Sequence, residues 1–155
     1  MLDIKHNYLS AEQYKNVENY CYSASYVYGE RDNPYQMPTG LVHNLELNNK
    51  LVDYFPRVVN TFPLFRAYIN FFSSGDKPNF HVDGESGYTS LFYINSEAYN
   101  SNEGGCTEIF DGKDTMTSVM PFRNTLLTFS ANKLHRATPF RTQPRFTVAL
   151  KYQYV

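Results

Sequence analysis

The chain has 155 residues, of which 42% are apolar and 19% are charged, and its formal net charge is −1. Such values are typical of one folded domain with a buried core, and the total charge gives no support to a protein that binds nucleic acid by charge alone. No apolar run approaches the ~18 residues of a membrane span, and the first residues lack the pattern of a signal peptide. We therefore expect a cytoplasmic protein that makes no use of a membrane.

The residue types favour β structure, because the chain contains 14 Tyr and 12 Phe and these residues prefer strands. Cys21 and Cys106 lack the spacing of a disulfide framework, so we expect free thiols in a reducing compartment. Residues 120–155 carry no acidic side chain. We expect most of the basic side chains there to form a solvated face, with a nucleic acid or a small anionic ligand as the open alternatives. These basic residues are Arg123, Lys133, Arg136, Arg141, Arg145 and Lys151.

The first predicted element is a helix over 11–25. Ser10 with Gln13 three residues later has the pattern of a capping box. Apolar residues then recur at helical spacing and include Cys21, which we interpret as a core residue. The segment 29–40 follows as a loop, interpreted either as a plain connection or as a lid. His43, beyond it, has no partner at ligand spacing and is expected to be a satisfied or surface histidine.

A second helix is predicted after Asn48 or Asn49, either of which can cap it. It would carry Leu51, Val52 and Phe55 on its apolar side. Pro56 disfavours helix at Phe55, so the helix should kink or restart there, continue its apolar pattern through Phe62 and close at Pro63. We expect residues 1–63 to form a helical support region.

Short apolar runs separated by turn residues dominate the rest of the chain, 64–155. Eight short strands at such spacing predict a β-sandwich or jelly roll, with the N-terminal helices packed on one sheet. The predicted strands are 65–72, 79–83, 89–95, 106–110, 117–120, 125–129, 135–139 and 145–154.

The pair His81 and Asp83 carries the first chemical signal. If 79–83 is extended, both side chains point to the same face and can hold two positions of a divalent metal. His135, at the start of another predicted strand, is the best third ligand. Two histidines and one carboxylate form the facial triad of non-haem Fe(II) sites, which leaves positions open for a co-substrate and oxygen.

Arg145 and Thr147 form a second signal, because alternation places them on one face of the last strand. A guanidinium in the mouth of a barrel needs an anionic partner, and its planar fork matches a carboxylate. A metal with open positions beside such an arginine indicates a dicarboxylate that chelates the metal at one end and meets Arg145 at the other.

The order of these motifs resembles the 2-oxoglutarate/Fe(II)-dependent oxygenases, and within them the prolyl-4-hydroxylase-like branch. The resemblance covers roughly 65–154 and includes the stretches 89–95, 103–110 and 135–139 besides the residues above. It implies a double-stranded β-helix, with Fe(II) held by His81, Asp83 and His135. It further implies 2-oxoglutarate held by Arg145, with Tyr93 and Thr147 in the same pocket.

The resemblance implies a dioxygenase that hydroxylates a C–H bond, most simply on a peptidyl proline or a related side chain, and converts 2-oxoglutarate to succinate. O2 is then a co-substrate and ascorbate a candidate accessory. A protein or peptide would be the substrate; the alternatives are a nucleic-acid, nucleotide or small-molecule oxygenase and a non-catalytic metal-binding jelly roll. The choice between monomer and homodimer stays open.

Two positions depart from the family pattern. Many members carry a tyrosine that hydrogen-bonds 2-oxoglutarate about ten residues before the first metal ligand, where this chain has Phe71 or Phe72. Tyr68 or Asn70 is the candidate substitute. The Gly-Gly pair usually continues with Glu-Thr or with an apolar residue in the family, and here Cys106 follows it. Neither departure touches the metal ligands, so both bear on the substrate rather than on the class of enzyme.

Overall fold

The structure is a computed structural model that describes residues 1–29 and 39–154. Within these ranges the chain forms eleven strands, one α-helix and two 3₁₀ helices. The strands are β1 (Leu2–His6), β2 (Val27–Tyr28), β3 (Leu41–Leu45), β4 (Val58–Val59), β5 (Phe62–Phe72), β6 (Tyr88–Ile94), β7 (Thr107–Phe110), β8 (Met116–Val119), β9 (Thr125–Ser130), β10 (Leu134–Ala137) and β11 (Arg145–Tyr152). The helices are α1 (Ala11–Ser23) and the 3₁₀ helices Lys50–Tyr54 and Ser101–Glu103.

The described strands form two sheets. The large sheet has the order β1-β9-β6-β11-β5-β3-β2, with β4 paired to β5, and the small sheet has the order β10-β7-β8. All the pairings are antiparallel. This is the mainly β jelly roll expected from the sequence, with a helix on one face of the large sheet.

The two faces of the large sheet are covered differently, and β11 shows why. Alternate residues of a strand point to opposite faces. Phe146, Val148 and Leu150 join an apolar core with α1, whereas Ala149 joins a second core with residues of β7 and β8. Both faces of β11 are therefore buried, and its odd-numbered side chains point into the space between the two sheets.

Helix α1 is confirmed at its start and its buried face. The Ser10 hydroxyl accepts from the Gln13 amide at 3.2 Å, and the Gln13 side chain accepts from the Ser10 amide at 3.1 Å. Tyr14, Val17 and Cys21 are buried against the large sheet. The helix ends at Ser23, two residues before the predicted end.

The second predicted helix is wrong in length. Asn49 caps it, since its side chain accepts from the Leu51 amide, but the helix is one 3₁₀ stretch that ends at Tyr54. It does not restart after Pro56, because the chain turns back at Asn60 and Thr61 with positive φ and pairs β4 with β5. Only one turn is needed to bury Leu51 and Val52.

Seven of the eight predicted strands are present, each displaced at one or both ends by one to three residues. The strand predicted over 79–83 is wrong, because within it only His81 makes a bridge, to His135. Strands β1 to β4 were not predicted. The predicted loop 29–40 lies outside the described residues except at its ends, so its role stays untested.

The division into a support region 1–63 and a core 64–155 stays a prediction, although β1 pairs with β9 and β3 pairs with β5. In the ranges 1–29 and 39–154, no helix combines the length and the apolar character that a membrane crossing requires.

Candidate functional site

Three predicted metal ligands come together at one end of the space between the sheets. One ligand atom from each of His81, Asp83 and His135 lies within 4.8 Å of the other two. His81 Nε2 lies 3.5 Å from Asp83 Oδ1, and His135 Nε2 lies 3.4 Å from Asp83 Oδ2. His135 is buried at 4% exposure, whereas the His81 side chain is 20% exposed and faces the opening.

The segment that carries His81 and Asp83 is held by the strand that carries His135 and by the turn before it. His81 and His135 exchange two backbone hydrogen bonds of 2.9 Å. The amides of Asp83 and Gly84 both donate to the Ala131 carbonyl, at 2.9 and 3.3 Å. This backbone path brings the ligands to one face without a regular strand.

Both imidazoles are oriented by backbone carbonyls. His81 Nδ1 lies 3.0 Å from the Asn79 carbonyl, and His135 Nδ1 lies 2.8 Å from the Lys133 carbonyl. A carbonyl oxygen only accepts, so Nδ1 donates in each ring and Nε2 is the nitrogen that faces the cluster, where a metal would take its lone pair. Fixing the tautomer through the second ring nitrogen is the usual device of metal-binding histidines.

The Asp83 carboxylate stays ionised although it is buried. Burial raises the pKa of Asp83, but Lys151 and the two imidazoles outweigh burial, so the pKa is held well below its usual value. The Lys151 ammonium and the Thr89 hydroxyl both donate to Oδ2. One carboxylate oxygen is thus taken by protein donors, and Oδ1 remains directed toward His81.

Arg145 lies in the same cavity with neutral partners. Its guanidinium donates to the Gly105 carbonyl at 2.9 Å and to the hydroxyls of Thr147 at 2.9 Å and Thr107 at 3.2 Å. The side chain is 1% exposed, and burial lowers the pKa of Arg145. Among residues 1–29 and 39–154, no carboxylate pairs with it. An uncompensated buried guanidinium is costly, so this end of the cavity suits an anion.

Gly105 positions the carbonyl that holds Arg145. Its φ is +77°, and a Cβ there would collide with the ring of Phe140. Tyr93, 1% exposed, lies beside the same guanidinium and donates to Thr107 at 2.7 Å. Burial raises the pKa of Tyr93 to about 12, although Arg145 opposes the shift, so the phenol stays protonated.

The cavity joins the two groups of residues. His81 and His135 line one part, and Arg145 and Thr147 line another. Strand β5, which pairs with β11 in the large sheet, supplies the adjoining part of the wall, and both candidates for the missing tyrosine donor lie on it. These wall residues are Tyr68, Asn70 and Phe72. The Asn70 Oδ1 atom is buried and has no hydrogen-bond partner among the described residues, so it is available to accept from a donor in the cavity.

Other side chains singled out in the sequence lie away from the cavity. His43 is a satisfied histidine, as expected, with Tyr20 Oη at 3.0 Å and the Ser25 carbonyl at 2.8 Å. Cys21 is a fully buried core residue, and burial raises the pKa of its thiol to about 12. Cys21 and Cys106 are free thiols.

The basic residues of 120–155 do not form one solvated face. Arg145 and Lys151 are buried at 1% and 6% exposure. Arg136 pairs with Glu108 at 2.6 Å. Arg123 stacks over the ring of Tyr14 with its guanidinium carbon 3.9 Å from the ring centroid. The charged side chains of residues 120–155 therefore lie inside the protein as well as on its surface.

Sequence reasoning missed Lys151, Thr89 and Thr107. The signal for Lys151 was available: it interrupts the apolar run of β11 at the same parity as Arg145 and Thr147, so it faces the same space. Thr89 lies directly opposite Lys151 in the register of β6 and β11. That register was not readable from the sequence.

Comparison with known protein families shows which family this chain belongs to. Residues 65–153, more than half of the chain, match the sequence model of the 2OG-Fe(II) oxygenase superfamily. The chain belongs to this superfamily. No curated protein sequence matches this oxygenase chain.

Solved structures show the same fold. A prolyl-4-hydroxylase of Pseudomonas putida superimposes with a TM-score of 0.79 at 12% identity, covering 99% of this chain and 92% of that one. A prolyl hydroxylase of Trichoplax adhaerens, in complex with a peptide of the hypoxia inducible factor oxygen degradation domain, gives 0.75 at 16% identity, with coverages of 98% and 83%. A viral collagen prolyl hydroxylase of Paramecium Bursaria Chlorella virus-1, in its 2OG complex, gives 0.73 at 13% identity, with coverages of 99% and 96%.

The superfamily implies Fe(II) and 2-oxoglutarate, and the residues of this chain fit both. Two imidazole Nε2 atoms and one ionised carboxylate form the donor set of a non-haem iron site. The buried guanidinium of Arg145 has neutral partners only and is suited to a carboxylate.

Proposed function

We propose that this chain is an Fe(II)- and 2-oxoglutarate-dependent hydroxylase that acts on a peptidyl proline or a related side chain. The observation that carries the proposal is the presence, in one cavity, of a His-Asp-His cluster and a buried arginine without an acidic partner. Burying charged side chains costs free energy, so both features favour a functional role over a purely structural one.

His81, Asp83 and His135 would hold the metal, and Arg145 would bind the far carboxylate of 2-oxoglutarate. Tyr93 and Thr147 would keep the guanidinium in place. Thr147 accepts a hydrogen bond from it, and Tyr93 and the guanidinium both donate to the hydroxyl of Thr107. Tyr68 or Asn70 would replace the absent tyrosine donor, since both line the cavity. When bound, iron and 2-oxoglutarate with O2 supply the oxidising power that couples conversion to succinate with hydroxylation of a C–H bond.

A peptide substrate is supported by the surface beside the metal ligands. Pro78 and Ala137 line both the cavity and an adjoining open groove. The groove is bounded by 74–78 on one side and 136–139 on the other. An extended chain lying in it would present a side chain toward His81. The Trichoplax adhaerens relative, whose structure contains a peptide, supports the same class of substrate.

The test is succinate formation from 2-oxoglutarate with Fe(II), O2 and ascorbate in the presence of proline-containing peptides, nucleotides or free amino acids. The expected result is peptide-dependent succinate with one oxygen atom added to the peptide by mass spectrometry. Stimulation by nucleotides instead would select the nucleic-acid alternative. Absence of succinate while metal and 2-oxoglutarate bind would leave a non-catalytic jelly roll.

Two histidine variants make this test specific. His81→Ala should abolish metal binding and succinate formation, because it removes one of three ligands. His43→Ala is the matched control, since His43 is bonded to Tyr20 and the Ser25 carbonyl outside the cavity. Equal loss in both variants would show a folding effect and contradict the assignment of His81.

A further inference from the structure

Lys151 is a buried cation that contacts the acidic member of the metal cluster. It follows Arg145 on the same face of β11 and is 6% exposed. Its ammonium donates to Asp83 Oδ2 and lies 3.4 Å from Thr89 Oγ1. The ring centroid of Tyr68 lies 5.7 Å from Nζ.

This ion pair already compensates Asp83 in the metal-free protein. In the described part of the chain, Asp83 is the one carboxylate that pairs with Lys151, and it is also the one anion of the metal cluster. A buried ammonium and a buried carboxylate are each costly alone and tolerable as a pair. A divalent cation that enters must therefore share this carboxylate with a cation that is already present.

We propose that Lys151 is a positioning residue that competes with the metal for Asp83 and thereby sets the metal affinity. The inference rests on the metal site of the proposed function. Lys151 compensates the charge of Asp83 before a metal binds, and its contact with Oδ2 leaves Oδ1 as the oxygen available to the metal. The site is then preformed but binds its metal less tightly than the same three ligands would without the lysine.

The sign of the effect follows from charge. Replacing Lys151 by a neutral residue leaves a buried unpaired carboxylate in the metal-free protein, which destabilises that state. It also removes the repulsion between an ammonium and a divalent cation a few ångströms apart in the metal-bound protein. Both changes favour metal binding. The orientation of Asp83 is retained, because Thr89 still donates to Oδ2 and Ala131 still accepts from its amide.

The experiment measures Mn(II) dissociation constants, without oxygen or 2-oxoglutarate, for the wild-type protein, Lys151→Met and Lys151→Gln. Both variants should bind Mn(II) at least tenfold more tightly. Their melting temperatures should be lower than that of the wild type without metal and should recover on adding Mn(II). Thr89→Val is the matched control, since it removes a neutral donor to the same oxygen and should not tighten binding.

Equal or weaker Mn(II) binding in both lysine variants would overturn the inference and leave the metal site intact. A wild-type protein that binds no Mn(II) and no Fe(II) would overturn the proposed function, and with it this inference. If neither variant folds without metal, folding on addition of Mn(II) is the expected coupling. If the variants also failed to fold with Mn(II), the inference would be contradicted, because Lys151 would then be needed for the fold itself.

Discussion

Arg145 shows how a single buried side chain constrains the ligand of a site. Its donors are shared among one carbonyl and two hydroxyls, all of them neutral. Hydrogen bonds of a charged group to neutral acceptors do not cancel its charge. The net positive charge of this end of the cavity therefore persists until an anion binds there.

Replacing Arg145 by methionine should weaken 2-oxoglutarate binding by about 100-fold or more, because each lost charge-assisted hydrogen bond contributes about 1.5–3 kcal/mol. The Mn(II) dissociation constant should stay within about twofold, since Arg145 contacts none of the three ligands. Titration of the Mn(II)-loaded protein with 2-oxoglutarate measures the first value. Arg57→Met is the matched control, because Arg57 pairs with Asp53 on the surface. Unchanged affinity for 2-oxoglutarate in Arg145→Met would mean that the pocket assignment is wrong.

Site residues that belong to a recognisable motif could be predicted from the sequence. Site residues whose position depends on how two strands pair could not. His81, Asp83, His135 and Arg145 are recognisable from residue type and order, because their chemistry restricts which residues serve. Thr89 reaches the site only because β6 pairs with β11, which places it opposite Lys151. Pairing between strands far apart in sequence leaves no local signal.

At the scale of elements, the helix was easier to predict than the ligand-bearing segment. Helix α1 has local determinants, namely a capping box and an apolar stripe. The segment 79–83 has an apparent alternation, yet its backbone is set by Ala131 and His135 elsewhere in the chain. Strand β1 was missed because Leu2 and Ile4 are 47% and 40% exposed, so its apolar residues lack a buried face.

Substituting Ser10 by alanine should lower the free energy of unfolding by about 1 kcal/mol, the usual contribution of an N-cap. Mn(II) binding should be unchanged, because α1 packs on the face of the large sheet opposite the cavity. Urea unfolding monitored by circular dichroism gives the first quantity. Ser10→Asp, which keeps an acceptor at the cap, should retain the stability. A loss of equal size in Ser10→Asp would show that the capping hydrogen bond is not the cause.

At the scale of the whole molecule, the many tyrosines make the folding stability depend on pH in the alkaline range. Burial raises the pKa of Tyr14, Tyr93 and Tyr99 to about 12 and also raises that of Tyr26 and Tyr152. A group whose pKa is higher in the folded state contributes stability that is complete below its unfolded pKa of about 10. That stability is lost as the pH rises toward and through 12.

The protein should therefore lose stability steeply between pH 10 and 12. The free energy of unfolding, measured by urea titration across this range, should fall less steeply in Tyr14→Phe than in the wild type. Tyr14 contributes because its hydroxyl, bonded to the Asn95 backbone, must stay protonated in the folded core. Tyr154→Phe is the control, since Tyr154 is 65% exposed. An identical pH dependence in Tyr14→Phe and the wild type would contradict the prediction.

The architecture as a whole was predictable because strand-forming residues and turn residues alternate through most of 64–155. Strand β11 was among the predicted strands, and the structure shows that it is buried at every position and therefore covered on both faces. What the sequence did not show is that β1 and β3 extend the large sheet beyond β9 and β5. A strand added at the side of a sheet requires only backbone partners, so side-chain patterns carry little information about it.

The unequal anchoring of the two halves of the site has a consequence for metal binding. Arg145 and Lys151 belong to a strand bonded along its whole length to β5 and β6, so exposing them requires the sheet to come apart. The segment of His81 and Asp83 has no strand partner beyond one bridge and two amides that share the Ala131 carbonyl, and Asp83 is held mainly through its side chain, by Lys151 and Thr89. A local opening of this segment therefore costs less than separating the sheet, but it has to break the ion pair of Asp83. A bound divalent ion would add a further link between this segment and His135, so metal binding should slow amide hydrogen exchange in 79–84 more than in β11.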